Sequence, residues 1–281
     1  MLNTISKLLQ HASEQLTPTS DSVRLDSEIL LAFVLNENRS YLYTWPEKEI
    51  TTEQIEHFNA LVKRRSYGEP IAYIVGEQEF WSMPLKVTPN TLIPRPETEL
   101  LVELALQKIA AGSNKRILDL GTGSGAIALA IAKERPSCEV TGTDRSKQAL
   151  CIAQENALHL NIKNATFSPG HWFKEITSEK YFDIIVSNPP YIACHDPHLS
   201  QGDVRFEPDS ALTSGADGLD DIHEIAEQAR QHLKADGWLL MEHGYNQGTA
   251  IIARLISLGY RNIIDHKDLA DLPRVITAQY S

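Results

Sequence analysis

At 281 residues and a net formal charge of −11, from 26 basic and 37 acidic residues, the chain is long enough for one large domain with a smaller companion and lacks the basic excess of a duplex nucleic-acid binder. Its 42% hydrophobic content is enough for a core, and no apolar run approaches the roughly 18 residues that would span a bilayer. Three cysteines, Cys138, Cys151 and Cys194, form no close pair, which fits a reducing cytoplasm rather than a disulfide framework.

The opening stretch is amphipathic and polar, unlike a secretory signal, and predicts a helix from Thr4 to Leu16 that stops near Pro18. Asp21 or Ser22 caps a second helix with Leu25, Ile29, Leu30, Phe33 and Val34 on its apolar face. Thr51 or Thr52 starts a third, striped by Ile55, Phe58, Leu61 and Val62 and ending near Gly68. Lys63, Arg64 and Arg65 close that helix as cations complementing its C-terminus. Residues 1–75 thus read as a helical bundle domain without a catalytic constellation. From Glu79 to Pro94 the pattern turns β-like, and residues 76–96 read as a hairpin linker. Pro94 to Glu99 then opens a helix through about Ala111.

Residues 97–281 form the third part, in which strand and helix alternate. Strands are expected at Arg116–Leu120, Glu139–Thr143, Asn164–Ser168, Asp183–Ser187 and Gly237–His243, with helices at Ala126–Glu134, Ser146–His159, Asp221–Lys234 and Gln247–Leu258. Tyr260–Asp265 and Arg274–Tyr280 close the chain as an antiparallel pair. This alternation predicts an α/β fold, a parallel sheet with helices on both faces. The stretch from His195 to Leu219 is long for a compact domain and follows a motif-bearing strand, as functional lids do.

Two constellations carry chemistry. After the first strand of this part comes Gly121-Thr122-Gly123-Ser124-Gly125, a loop that lets backbone approach a ligand closely, and Asp144 ends the next strand 21 residues past Gly123, suited to a ribose diol. On this loop alone NAD and S-adenosyl-L-methionine are both open, because Gly121 to Ala126 also satisfies the dinucleotide fingerprint. The second constellation is Asn188-Pro189-Pro190-Tyr191, which ends the strand Asp183–Ser187 in a stiff turn. Asn188 and the Pro189 carbonyl offer two acceptors and Tyr191 a flat face, a match for a planar –NH2 group. A methyl acceptor of amide or amine type needs such a pair and a hydride acceptor does not, which favours S-adenosyl-L-methionine. Cys194, His195 and His198 match no zinc spacing, so no metal is expected. Glu242 and His243 at a strand end read as wall residues rather than a general base.

The whole chain resembles the PrmC/HemK family, which methylates glutamine in peptide chain release factors. The resemblance runs through the helical part, Glu69-Pro70-Ile71-Ala72-Tyr73-Ile74, Leu92-Ile93-Pro94-Arg95-Pro96-Glu97-Thr98-Glu99, Leu118 to Leu129, Ser187 to Ile192, and Arg205-Phe206-Glu207-Pro208. It implies a class I S-adenosylmethionine-dependent methyltransferase domain, Rossmann-like with a seven-stranded sheet, behind an N-terminal helical bundle that docks the substrate. By the same resemblance the loop Gly121–Gly125 holds the amino-acid end of the cofactor, Asp144 takes the ribose hydroxyls, Trp172 lies against the adenine region, and Asn188 to Tyr191 hold the glutamine. His171 stands where the family commonly carries an acid. The implied partner is a class I release factor, with no nucleic acid and no membrane, for a monomer in the cytoplasm. A base-modifying amino-methyltransferase uses the same tetrad, but would call for a basic channel and an added recognition domain. A cofactor sensor without turnover would not need Asn188.

Overall fold

The computed structural model describes residues 3–177 and 181–281; Met1, Leu2 and residues 178–180 lie outside the description, so the helical-domain expectation is traced from Asn3. The chain divides into two compact units, one running to Glu77 together with Ser200–Phe206, the other comprising Gln78–Leu199 and Glu207–Ser281.

The first unit contains α1 (Ile5–Leu16), α2 (Val23–Leu35), α3 (Arg39–Thr44), α4 (Thr52–Ser66) and α5 (Ile71–Val75). Helix α4 begins at a complete capping box, with the Thr51 hydroxyl accepting from the Gln54 amide and the Gln54 side chain accepting from the Thr51 amide. Its apolar stripe of Phe58, Leu61 and Val62 packs with Ile5, Leu8, Leu30 and Leu31. Helix α2 is turned differently from its predicted face. Leu25 and Phe33 are 40% and 46% exposed, whereas Asp26 and Glu28 are buried. Asp26 Oδ2 accepts from Arg65 Nε at 2.7 Å, and Glu28 accepts from Arg24, Arg39 and Tyr43. Arg65 is therefore an interior cation, also paired with Asp203 at 2.8 Å, and not a solvated charge at a helix end. A buried Arg65 without a carboxylate would be an uncompensated interior charge, and the helix keeps Asp26 facing it while Leu25 and Phe33 turn outward. Helices α3 and α5 have too few turns to carry a periodic signal, and were not predicted individually.

In the second unit β1 (Glu77–Phe80) and β2 (Met83–Lys86) form a two-stranded sheet. Trp81 and Ser82 between them both sit at positive φ, the conformation of a tight hairpin turn. A 3₁₀ turn at Pro96–Thr98 leads into α6 (Glu99–Gln107), which starts later and ends sooner than expected. Then come β3 (Arg116–Leu120), α7 (Ala126–Glu134), β4 (Glu139–Asp144), α8 (Lys147–His159), β5 (Ala165–Pro169) and β6 (Phe182–Ser187). The long connection after β6 contains 3₁₀ turns and the four-residue α9 (Asp209–Leu212). The chain finishes with α10 (Asp220–His232), β7 (Leu233–Glu242), α11 (Gly248–Ser257), β8 (Arg261–Lys267) and β9 (Pro273–Gln279).

The sheet has seven strands in the order β5-β4-β3-β6-β7-β9-β8, parallel except for the β7–β9 and β8–β9 pairs. Its strands are apolar on both sides. Ile117, Ile184, Val186 and Leu240 join one core cluster, and Leu118, Leu120, Ile185 and Leu239 join another. Helices cover both faces, which is why these strands read as continuous hydrophobic runs. Strand order reverses between β3 and β6, since β4 and β5 extend the sheet to one side and β6 and β7 to the other. Such a switch point opens a crevice at the carboxyl ends of the strands.

Candidate active site

Register brings the separate motifs together. Leu120 at the end of β3 pairs with Thr143 of β4 and with Ser187 of β6, and Ser187 pairs with Met241 of β7. The next residue on each strand is therefore Gly121, Asp144, Asn188 and Glu242, side by side along one crest.

A cleft of about 270 Å³ opens at this crest. Gly121, Gly123, Asp144, Trp172, Asn188 and Pro190 line it, with His171 beside Trp172 and Pro208, Ser210 and Ala211 from the long connection forming a further wall. Gly121 and Gly123 have φ of +72° and +57°, a conformation that favours glycine, and a Cβ on Gly121 would touch the Trp172 ring at 3.4 Å. Asp144 Oδ2 accepts from the Gly123 amide at 2.9 Å and Oδ1 from the Ser146 amide at 2.8 Å, so the carboxylate is held rigidly at the strand end with lone pairs to spare. The Trp172 indole N–H donates to Asp221 Oδ1 at 2.9 Å, which fixes the ring as a wall. His171 Nδ1 is buried and makes no hydrogen bond among the described residues.

The other expected site residues lie outside this lining. Thr122 and Ser124 point inward: Thr122 Oγ1 donates to Asp119 Oδ2 at 2.6 Å, and the Ser124 carbonyl accepts from Asn156 Nδ2 at 2.9 Å. Gly125, at φ +85°, caps α7. Asp119 is fully buried with Oδ1 unpartnered among the described residues, and burial pushes its carboxyl up to about 7 against the Thr122 and Ala128 hydrogen bonds. Pro189 is buried, and its carbonyl is engaged by no described donor. The Tyr191 ring packs against the cluster containing Trp172 and Ile222, and its carbonyl accepts from Gln247 Nε2 at 2.9 Å.

Behind the tetrad stands a polar chain. Asn188 Nδ2 donates to Thr98 Oγ1 at 3.2 Å, Thr98 Oγ1 donates to Glu242 Oε2 at 2.7 Å, and the Tyr191 hydroxyl donates to Glu242 Oε1 at 3.1 Å. Burial pushes the Glu242 carboxyl above the ordinary glutamate range, while the two hydroxyls and Arg274 pull it back. Burial, with the Glu242 charge adding to it, also raises the Tyr191 phenol. A second ion pair joins two quoted motifs, Arg95 donating to Glu207, whose side chain is fully buried.

Residues 7–76 match the family described as PrmC N-terminal domain, and residues 111–266 match the one described as methyltransferase domain. The release factor glutamine methyltransferase of Vibrio cholerae is 53% identical over 99% of this chain and 97% of its own length. The protein of the same name from Aliivibrio fischeri is 50% identical over 98% and 97%. This chain belongs to the release factor glutamine methyltransferase family. Among solved structures, a methyltransferase from Pyrococcus furiosus shares the fold, with a TM-score of 0.53 and 21% identity over 77% of this chain and 96% of that one.

The expected class I methyltransferase architecture, seven-stranded with an N-terminal helical domain, is thus borne out for this family member. In the methyltransferase unit, sequence reasoning missed Thr98 as a contact of Asn188, although Thr98 lies inside a quoted motif. It read Glu242 as a wall residue, and the carboxylate is in fact the end of the chain behind the tetrad. The available signal was an acid closing an otherwise apolar strand, Gly237-Trp238-Leu239-Leu240-Met241-Glu242.

Proposed function

We propose that this protein transfers a methyl group from S-adenosyl-L-methionine to the side-chain amide nitrogen, N5, of the glutamine in the Gly-Gly-Gln motif of class I peptide chain release factors. The observation that carries the reading is Asn188, an amide with a free Oδ1 acceptor on the wall of a cleft whose floor is the glycine loop, in a chain of this family.

The residues of the cleft fit the cofactor by their own chemistry. Gly121 leaves a cradle that a Cβ would narrow against the Trp172 ring, and Asp144 presents free lone pairs to a diol beside that ring. Gly121 to Gly125, Asp144, Trp172 and Asn188 are the cofactor residues on this reading. When bound, S-adenosyl-L-methionine supplies a methyl group on a sulfonium sulfur, which is already strongly electrophilic.

The amide nitrogen of glutamine is a poor nucleophile because its lone pair is delocalised into the carbonyl. The task of the protein is therefore to hold that nitrogen in line. Asn188 Oδ1 and the Pro189 carbonyl accept its two hydrogens, Pro190 stiffens the turn, and Tyr191 bounds the pocket for the amide plane. Positioning of this kind is worth on the order of 7–11 kcal/mol. Acceptors pulling on the –NH2 hydrogens also stabilise positive charge as it develops on nitrogen.

The helical unit, expected over residues 1–75 with a 76–96 linker and the transferase part over 97–281, docks the release factor on this reading. The protein works as a cytoplasmic monomer without nucleic acid or membrane. A net charge of −11 supports a protein substrate over a polyanion, and no helix among the described residues is long and apolar enough to cross a membrane. Peptide mass spectrometry of a purified release factor incubated with this protein and S-adenosyl-L-methionine tests the assignment. One added methyl on the Gly-Gly-Gln glutamine is expected; radiolabel entering DNA or RNA instead overturns it.

A further inference from the structure

An asparagine amide can present either its oxygen or its –NH2 to a ligand, and the two choices select opposite partners. What sits behind Asn188 determines which it presents. Glu242 and Thr98 are 1% and 4% exposed. In its ionised form, with Arg274 beside it, Glu242 has no hydrogen to give, and the Thr98 and Tyr191 hydroxyls donate to its two oxygens at 2.7 and 3.1 Å. Thr98 has one hydrogen, and it is committed to Glu242. Towards Asn188 at 3.2 Å, Thr98 Oγ1 can then only accept, and the only donor Asn188 has there is Nδ2. Oδ1, which takes no hydrogen bond from the described residues, is left as the group for the cleft. Without a carboxylate behind it, the same threonine could equally donate to Oδ1 and turn –NH2 into the cleft. The β6–β7 register, which sets Ser187 opposite Met241, brings Glu242 level with Asn188 and makes the relay possible.

We propose that Glu242, acting through Thr98, is a positioning residue that locks the Asn188 amide with its oxygen towards the cleft and so makes the site accept a glutamine amide and reject a glutamate carboxylate. This deepens the methyl-transfer reading and rests on it. Glutamate differs from glutamine by one donor group, and a carboxylate oxygen facing Asn188 Oδ1 and the Pro189 carbonyl would meet two acceptors with no hydrogen between them. Buried polar mismatches of this type are what separate near-isosteric substrates.

The test compares two release factors, one native and one carrying glutamate in place of the Gly-Gly-Gln glutamine, the second used as a competitive inhibitor. For the unaltered protein, Ki of the glutamate factor should exceed KM of the native factor by about tenfold or more. Thr98→Val removes the relay and frees the amide to rotate. It should lower kcat by about 10–100-fold, leave the S-adenosyl-L-methionine Kd within about twofold, and bring Ki of the glutamate factor down towards KM. Thr98→Ser, which keeps the hydroxyl, should restore the discrimination. Glu242→Gln, whose Nε2 can donate to Thr98, should shift the ratio in the same direction as Thr98→Val. A merely structural defect raises KM and Ki together; that result, or an unchanged ratio in Thr98→Val and Glu242→Gln, overturns the proposal. If Thr98→Val loses its cooperative melting, Thr98→Ala and Glu242→Gln carry the same comparison. An unaltered protein that puts no methyl on the native factor would sink the underlying reading instead, before any variant is made.

Discussion

Asn188 and Asp144 stand on either side of Gly121 along the crest, and on the proposed reading single substitutions separate their roles. On the proposed reading, Asn188→Ala removes one of two acceptors for the substrate amide and leaves the glycine loop untouched. It should lower kcat by roughly 10²–10³, the usual effect of losing one preorganised polar contact to developing charge, with a far smaller change in cofactor affinity. Single-turnover methylation at near the original rate would mean that the tetrad is only a turn. Asp144→Ala acts on the other side of the cleft. The Gly123 and Ser146 amides lose their acceptor and the ribose loses its own, a loss of about 1.5–3 kcal/mol for hydrogen bonds to a charged group, read by calorimetry as weaker binding of the cofactor. Asp119 gives a pH signature. Its carboxyl, ordinarily at 3.8, is pushed up to about 7 in the folded chain, so the fold binds this proton more tightly than the unfolded chain does. Its contribution to stability is fully present below pH 3.8 and is lost as pH rises through about 7. Thermal melts at pH 5 and pH 8 should therefore fall further for the unaltered protein than for Asp119→Asn, which has no proton to lose.

At the scale of the elements, the glycine loop works because three strand ends align and because its last glycine turns the chain into α7. Gly125 sits at φ +85°, and a Cβ there would lie 3.1 Å from Leu129, 3.2 Å from Ala153 and 3.3 Å from Phe167. Gly125→Ala combines backbone strain with crowding and should destabilise the protein by about 1–3 kcal/mol, measured by denaturant unfolding. An unchanged midpoint would show that the loop relaxes more freely than this packing allows. The same packing explains why the loop was legible from sequence, since glycines at positive φ beside a strand and a helix have few other uses. The α2 face was not legible in that way. Hydrophobic periodicity put Leu25 and Phe33 inward, but the buried Arg65 requires Asp26 opposite it, and the helix turns to supply it.

For the whole molecule, the ion pair of Asp26 with Arg65 is a handle on the first unit alone. Asp26→Ala leaves a buried guanidinium with Asp203 as its remaining carboxylate beside the Gly68 and Glu69 carbonyls, and breaking a buried pair of this kind costs on the order of 3–5 kcal/mol. Limited proteolysis should then cut within residues 3–77 before it cuts the sheet. If that unit docks the release factor, KM for the whole factor should rise while the cofactor Kd stays put. Cofactor binding lost to the same degree would argue against a separate docking role.

The sequence by itself determined the α/β class, all seven strands of the sheet to within a few residues at their ends, the glycine loop, the acid that ends β4 and the Asn188-Pro189-Pro190-Tyr191 turn, together with the family to which the chain belongs. These signals are local: period, turn chemistry and short motifs are written in neighbouring residues. Only the tertiary structure decided which of those residues meet. Thr98 lies 90 residues from Asn188, and Glu242 lies 144 residues from Thr98. Their contact depends on strand order and register, which place β7 beside β6 with Ser187 opposite Met241. Whether Asn188 presents its oxygen or its –NH2 to the cleft follows, on the proposal above, from a carboxylate two hydrogen bonds further back, because hydrogen-bond polarity is a property of the assembled chain of groups and of no single residue in it.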